Sequence, residues 1–239
     1  MTTTDDILAL AASATPTEQA AADLIGFAEA ATHGMHTDVV RALRALRPGS
    51  LPDSPAWRAW LLATAAMAAA GDHTAPDDQS AATSDHDARA DRSAPTGDHT
   101  ATASHSTVRF AVCAAATALG DDCSTAVAAG TQAAALIQSR LESSGWSIPA
   151  VSAVIGAGLA AAMMLGLPEP QARHTLGICA TQAAGLVAAA GTDAGPLQAG
   201  KAAFNAVEAA QLASFGFTSS REPLDGRRGL FTLFGTPAA

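Results

Sequence analysis

Apolar residues recur at helical spacing from Val151 to Gly235. The pattern breaks at Pro168 and Pro170, at Gly191 to Pro196, and at Gly216 to Pro223. It therefore predicts three helices, at about 151–166, 169–190 and 199–215. Ala and Gly dominate all three, so helix backbones can approach closely. The run Val151–Leu167 is nearly long enough to span a bilayer. It lacks interfacial aromatics and basic flanks, which makes it a buried core helix.

Upstream the pattern is shorter-ranged. Residues 1–16 are rich in Thr, Asp and Ala and read as a frayed start. Thr15 or Thr17 with Glu18 opens a helix that ends at His33-Gly34. Asp38 to Leu46 forms a short amphipathic helix, with Val39, Leu43 and Leu46 on its apolar side. Pro55 opens another, from about Ala56 to Ala70, whose large apolar members are Trp57, Trp60, Leu61 and Met67. Ser106 or Thr107 caps a helix running to about Leu119, and Ser124 caps the next, to about Ser143. Ser144 to Pro149 is a loop leading into the central stretch.

Residues 71–104 differ in kind. They hold no Leu, Ile, Val or Phe and are dense in Asp, Ser, Thr, Ala and Pro. Such a segment cannot bury enough apolar surface to order itself. We read 1–239 as a single helical domain interrupted at 75–104 by a disordered insertion. Gly71-Asp72-His73-Thr74 recurs as Gly97-Asp98-His99-Thr100, bracketing the segment. Its His and Asp density invites a metal reading. A solvated loop is the plainer one, because no His pair has i,i+4 spacing on a stable helix.

Composition narrows the class. Nearly half the residues are apolar, Ala carrying most of that fraction, and no convincing strand alternation exists. The fold class is all-α. A net charge of −9, with no basic patch, argues against nucleic acid and against anionic membranes. Cys113, Cys123 and Cys179 lack metal-ligand spacing. Their odd number, without a secretory signal, points to a reducing cytoplasm. Cys179 reads as a core thiol, His174 as a helix-surface residue, and Arg221, Arg227 and Arg228 as solvated charges.

Particular strings carry more information. LGICATQAAG at 176–185 is followed by PLQAGKAA at 196–203, EAAQLASFGFT at 208–218, then Leu224-Asp225-Gly226 and Gly229-Leu230-Phe231. In order and spacing they resemble the helical domain of the MmgE/PrpD family, which contains 2-methylcitrate dehydratase and cis-aconitate decarboxylase. Asp23-Leu24-Ile25-Gly26 is similar to that family's first helix, and HSTVRFAVCAAATAL from His105 to the helix after its H-P-[GS] motif. The resemblance implies a helical bundle, a homodimer, and elimination of water or loss of carbon dioxide from small polycarboxylic acids without metal or other cofactor. The chain ends where the family's second, α/β domain begins, so that domain is expected to be lacking.

The resemblance also assigns residues. Such chemistry needs an acid or base at the reacting carbon, donors or cations for the carboxylates, and help for the leaving group. His105 matches the H-P-[GS] histidine. The family's D-F-D-D-T loop is partly kept by Asp72 and Thr74, its first aspartate falling on Ala70; in the second copy Asp98 and Thr100 stand close before His105. Ser147 takes the place of the F-H-P histidine. In the T-K-P-L-H segment the lysine is Gly195 and the final histidine Gln198. Lys201, the chain's only lysine, lies one helical turn beyond. These departures leave three readings. One is a repurposed lyase or isomerase (dehydration, decarboxylation, isomerisation or cyclisation) acting on a carboxylate- or carbonyl-containing intermediate of specialised metabolism. There His105 is acid/base, Asp98 or Asp72 and Thr100 or Thr74 surround it, and Lys201, Gln198 and Ser147 hold the small-molecule substrate. The others are a non-catalytic ligand-binding or scaffold protein, and the helical half of a split dehydratase.

Overall fold

The structure, a computed structural model, describes residues 2–46, 54–72, 99–142 and 145–234, with all their side chains except those of Asp72 and 99–105. Among the described residues it is all-α. The helices are α1 (Thr3–Ser13), α2 (Glu18–Gly34), α3 (Asp38–Ala45), α4 (Pro55–Asp72), α5 (His99–Thr117), α6 (Ser124–Gln138), α7 (Ile148–Met164), α8 (Glu169–Thr181), α9 (Ala194–Ser214) and α10 (Leu230–Phe234). A single 3-10 turn, Val187–Ala189, lies between α8 and α9. No described helix is long and apolar enough to cross a membrane.

Helix α7 is the axis of the bundle. Every residue from Ala150 to Ala162 is buried, and α5, α6, α8 and α9 all pack on it. A helix apolar all round has no solvent face to present, so it takes the centre. Small residues set the spacing. A Cβ on Gly130 of α6 would lie 2.6 Å from the Gly156 carbonyl oxygen of α7, and one on Gly156 would lie 2.4 Å from that of Gly130. Only paired glycines allow that crossing.

The N-terminus is not frayed. Thr2 caps α1 in a reciprocal box: its hydroxyl accepts from the Asp5 N–H, and the Asp5 carboxylate accepts from the Thr2 N–H. Ile7 and Leu8 enter the core. Thr3 donates its hydroxyl to Asp225 at 2.6 Å, and Arg140 at the end of α6 donates to the Thr3 oxygen at 2.7 Å. The Asp of the Leu-Asp-Gly string thus anchors the chain's first helix.

Other boundaries also shift. α8 stops at Thr181, far short of 190. α9 begins at Ala194 and takes Pro196 into its first turn, where a missing N–H costs no intrahelical bond. α5 begins at His99 rather than Thr107, so Ser106 and Thr107 are interior; of the 75–104 stretch, 75–98 lies outside the described residues. Thr17 does cap α2, accepting from Ala20 N–H at 3.0 Å, whereas α6 has no side-chain cap from Ser124. In α3 the buried pair is Val40 and Leu43, one i,i+3 face, while Leu46 lies beyond the helix and is exposed.

Candidate functional site

Helix direction brings the backbones of most candidate residues to one end of the bundle, while the Lys201 side chain reaches back along α9 toward Trp60 in the first turns of α4. Arg58, at the start of α4, donates to the Ala118 carbonyl just past α5 at 2.8 Å. The two helices pack together, so they run antiparallel. Gly200 of α9 meets Thr64 of α4, and Phe204 meets Trp60 with centroids 5.3 Å apart; α9 is antiparallel to α4 as well. The end of α4 therefore lies beside the starts of α5 and α9. Asp72 closes α4, Thr100 and His105 stand in the first two turns of α5, and Gln198 and Lys201 stand in the first half of α9. The backbones of Asp72, Thr100 and His105 are placed; their side chains, like all of Thr74 and Asp98, lie outside what is described.

Ser147 joins the group through a backbone network. It is the N-cap of α7, makes no side-chain cap hydrogen bond, and donates its N–H to the Gly185 carbonyl at 3.0 Å. Gly185 has φ +151°, and a Cβ there would lie 2.5 Å from both Gln198 Oε1 and Ala150. One residue on, Gln198 grips Leu186. Its Oε1 accepts the Leu186 N–H at 2.8 Å, and its Nε2 donates to the Leu186 carbonyl at 3.3 Å. Trp146 pairs with Leu186 as an isolated antiparallel bridge. This is why α8 ends early: the chain after Thr181 is drawn across to α7 and α9. Gln198 thus orders the loop beside the site, and Ser147 supplies an uncommitted hydroxyl at the start of α7. The start of α7 lies beside the second turn of α9 here, Ala150 and Gln198 both flanking Gly185.

Lys201 has a setting that no local pattern reveals. Its Nζ lies 4.0 Å from the Phe204 ring centroid and 4.9 Å from that of Trp60. Burial against these rings lowers its pKa, with Glu208 pulling the other way. Because α9 starts at Ala194, Lys201 lies two turns in, beyond the turn where the helix dipole repels a cation. Phe204 is legible as its i,i+3 neighbour; Trp60, which reads as plain core in the sequence, is not.

Other residues singled out in the sequence lie away from this end. His174 is not simply on the surface: its Nδ1 accepts the Ser219 N–H at 3.1 Å. Cys113, Cys123 and Cys179 are buried, and burial raises all three thiols, Cys179 to about 12. Arg221, Arg227 and Arg228 are exposed. A groove of about 660 Å³, lined by Leu24, Phe27, Ala31, Met35, Leu62 and Thr117 among others, lies at the far end of α5. Twelve residues of helix separate Thr117 from His105, roughly 18 Å. Its lining carries Asp121 and no lysine or arginine, so it suits an apolar group and not a polycarboxylate.

Comparison with known proteins bears on the family. The family model for the MmgE/PrpD N-terminal domain matches residues 95–238. Cis-aconitate decarboxylase of Homo sapiens is 36% identical over 86 residues, a stretch that is 36% of this chain and 18% of the human protein. The match thus spans under a fifth of that relative's length.

Proposed function

The chain belongs to the MmgE/PrpD family through its N-terminal domain, and from that premise we propose that it is a repurposed, cofactor-independent lyase or isomerase. Its substrate in this reading is a small carboxylate- or carbonyl-containing intermediate of specialised metabolism. One observation supports the proposal: the start of α5, which carries His105, lies beside the start of α9, which carries Gln198, and Gln198 in turn meets the loop held by Ser147 at the start of α7. In this reading the Lys201 ammonium and the Ser147 hydroxyl hold a carboxylate. His105 moves the proton in this reading, taking it from the carbon next to the carbonyl or carboxyl, or delivering it to a leaving hydroxyl. Asp72 or Asp98 would orient that imidazole, with Thr74 or Thr100 beside it. Gln198 holds Leu186 by both backbone groups. A homodimer in the cytoplasm completes the reading.

A second reading, the helical half of a split dehydratase, draws support from the surface beside the site. Trp146, Leu186 and Val187 are exposed and contiguous, and Trp146 stacks edge-on with Phe234 at 5.0 Å. Exposed apolar patches of this kind mark association surfaces.

The test is a thermal-shift and turnover screen of small tricarboxylates, 2-methylcitrate and pathway intermediates, with wild type beside His105→Ala. The lyase reading expects a ligand that stabilises both forms and turnover that falls at least about a hundredfold in the variant. Turnover unchanged in the variant, or a ligand bound by both and converted by neither, overturns it.

A further inference from the structure

Where the T-K-P-L-H segment has a lysine, this chain has Gly195. Another cation stands at the same end of the bundle. Arg109 lies four residues after His105 on α5, one helical turn on and on the same face. Helical side chains lean toward the N-terminus, which carries Arg109 back over the turn of His105. Helix α2 flanks it. Asp23 lies beside Arg109, Phe27 lies beside Phe110 with centroids 6.1 Å apart, and Ala31 and Thr32 share a groove with Thr117. α2 therefore runs parallel to α5, and its first turns reach the end where α5 starts.

The Arg109 guanidinium is fixed in place but unspent. Its carbon lies 4.7 Å from the Phe110 ring centroid. Its Nη1 lies 3.8 Å from Asp23 Oδ1, close enough for attraction and too far for a hydrogen bond. Asp23, almost wholly buried, accepts from Gln19 instead, at 3.0 Å. Arg109 Nε is buried and has no partner. Among the described residues no acceptor takes any of the guanidinium N–H groups. Arg140 and Arg173 differ: the first donates to Thr3, the second to both Asp5 and Glu169. A buried donor left unpaired is costly, so this one calls for an acceptor from outside the chain. The Arg109 side chain is 37% exposed, which lets an anion reach it from solvent.

We propose that Arg109 holds a carboxylate of the substrate, supplying the cation that Gly195 cannot. The proposal rests on the lyase reading above and adds a binding residue to its site. Two N–H groups of the planar fork match the two oxygens of a carboxylate, a geometry that an ammonium lacks. Asp23 does not forbid this, because Arg173 serves two carboxylates from one guanidinium in this same fold. Asp23 and the Phe110 ring restrain the side chain beforehand, so less freedom is lost when the anion arrives. The bound carboxylate then stands about one helical turn, roughly 6 Å of rise, from the backbone of His105. Arg109 moves no proton itself; it places the carbon on which the proton is moved.

The experiment is calorimetric titration of the full chain with tricarballylate and 2-methylcitrate, each beside its methyl ester. Wild type, Arg109→Gln, Arg109→Lys and His105→Ala are compared. Wild type is expected to bind an acid more tightly than its ester. Arg109→Gln should weaken the acid at least about tenfold and leave the ester unchanged. Arg109→Lys keeps a charge beside Asp23 and loses the fork, so its acid affinity should fall between the two. A loss equal for acid and ester marks a structural role and overturns the proposal, as does wild-type acid affinity in both variants or no acid bound by wild type. Should Arg109→Gln fail to fold, Arg109→Lys decides alone, and wild-type acid affinity there overturns the proposal. Turnover that depends on His105, with acid binding indifferent to Arg109, sinks the Arg109 site and leaves the lyase reading standing. Acid binding that depends on Arg109, with no turnover of either acid, keeps the anion site and removes the lyase.

Discussion

Arg173 of α8 donates to Asp5 of α1 at 2.8 Å across 168 residues of sequence. The same guanidinium reaches Glu169 at 3.0 Å, so one cation ties the first helix of the chain to the start of α8. Asp5 also receives the Thr2 N–H, and together these hold its carboxyl at about 2, below the ordinary 3.8, the Thr2 contact contributing most.

The sign of the resulting pH dependence is set by that depression. In the unfolded chain Asp5 binds its proton near pH 4, and in the fold only near pH 2, so the unfolded state holds more protons between these values. Stability from Asp5 is present above about pH 4 and lost as pH falls toward 2. Thermal melts from pH 5 to pH 2 should show a shallower acid loss in Asp5→Asn than in wild type. Parallel profiles would remove Asp5 from the account.

Two glycine substitutions should move stability in opposite directions. A Cβ on Gly200 would lie 2.0 Å from Thr64 Oγ1 and 2.8 Å from the Trp60 carbonyl oxygen, so the α4–α9 crossing must open. Gly200→Ala is expected to cost roughly 1–3 kcal/mol. Gly26 within α2 has nothing within 4 Å of its would-be Cβ, and Gly26→Ala should gain about 0.5–1 kcal/mol through helix propensity and unfolded-chain entropy. Guanidinium denaturation of both variants checks the pair; a stabilising Gly200→Ala would contradict the close crossing.

Gln198 should behave as a clamp. Gln198→Ala releases both Leu186 backbone groups and should cost about 1–2 kcal/mol. It should also speed proteolysis between Gly185 and Asp193. Gln198→Glu keeps the acceptor for the Leu186 N–H and loses the donor, so its cleavage rate should fall between the two. Wild-type proteolysis in Gln198→Ala would mean the loop is held by other contacts.

The cysteines should be silent to a thiol reagent until the fold opens. All three are buried with raised pKa, which suppresses the reactive thiolate. Ellman titration of native protein at pH 8 should give no fast phase, and the full three thiols should appear only in denaturant. A fast native phase of one thiol would place a cysteine at the surface.

Where local signals were strong, the fold was legible. Thr17 with Glu18 marks the true start of α2, and the uninterrupted apolar run after Ile148 marks the central helix, because a stripe that never turns polar has nowhere to go but inside. The site was half legible. The resemblance singles out Ser147, Gln198 and His105, and the fold gathers their backbones at one end. It does not show that Gln198's amide is spent on Leu186, since that bond depends on a loop passing between α8 and α9.

The amino-acid sequence by itself determined the all-α class, the central helix and the family, because helix periodicity, breakers and small-residue spacing act within a few residues and need no partner. The tertiary structure decided the rest. α1 orders because Asp225 and Arg173 meet it, and α8 stops at Thr181 because Leu186 is pulled to Trp146 and Gln198. The Lys201 ammonium comes to rest over two rings because α4 brings Trp60 beside α9. Each of these depends on groups far apart in the chain, whose meeting is settled by how the helices pack and not by what any one of them prefers alone.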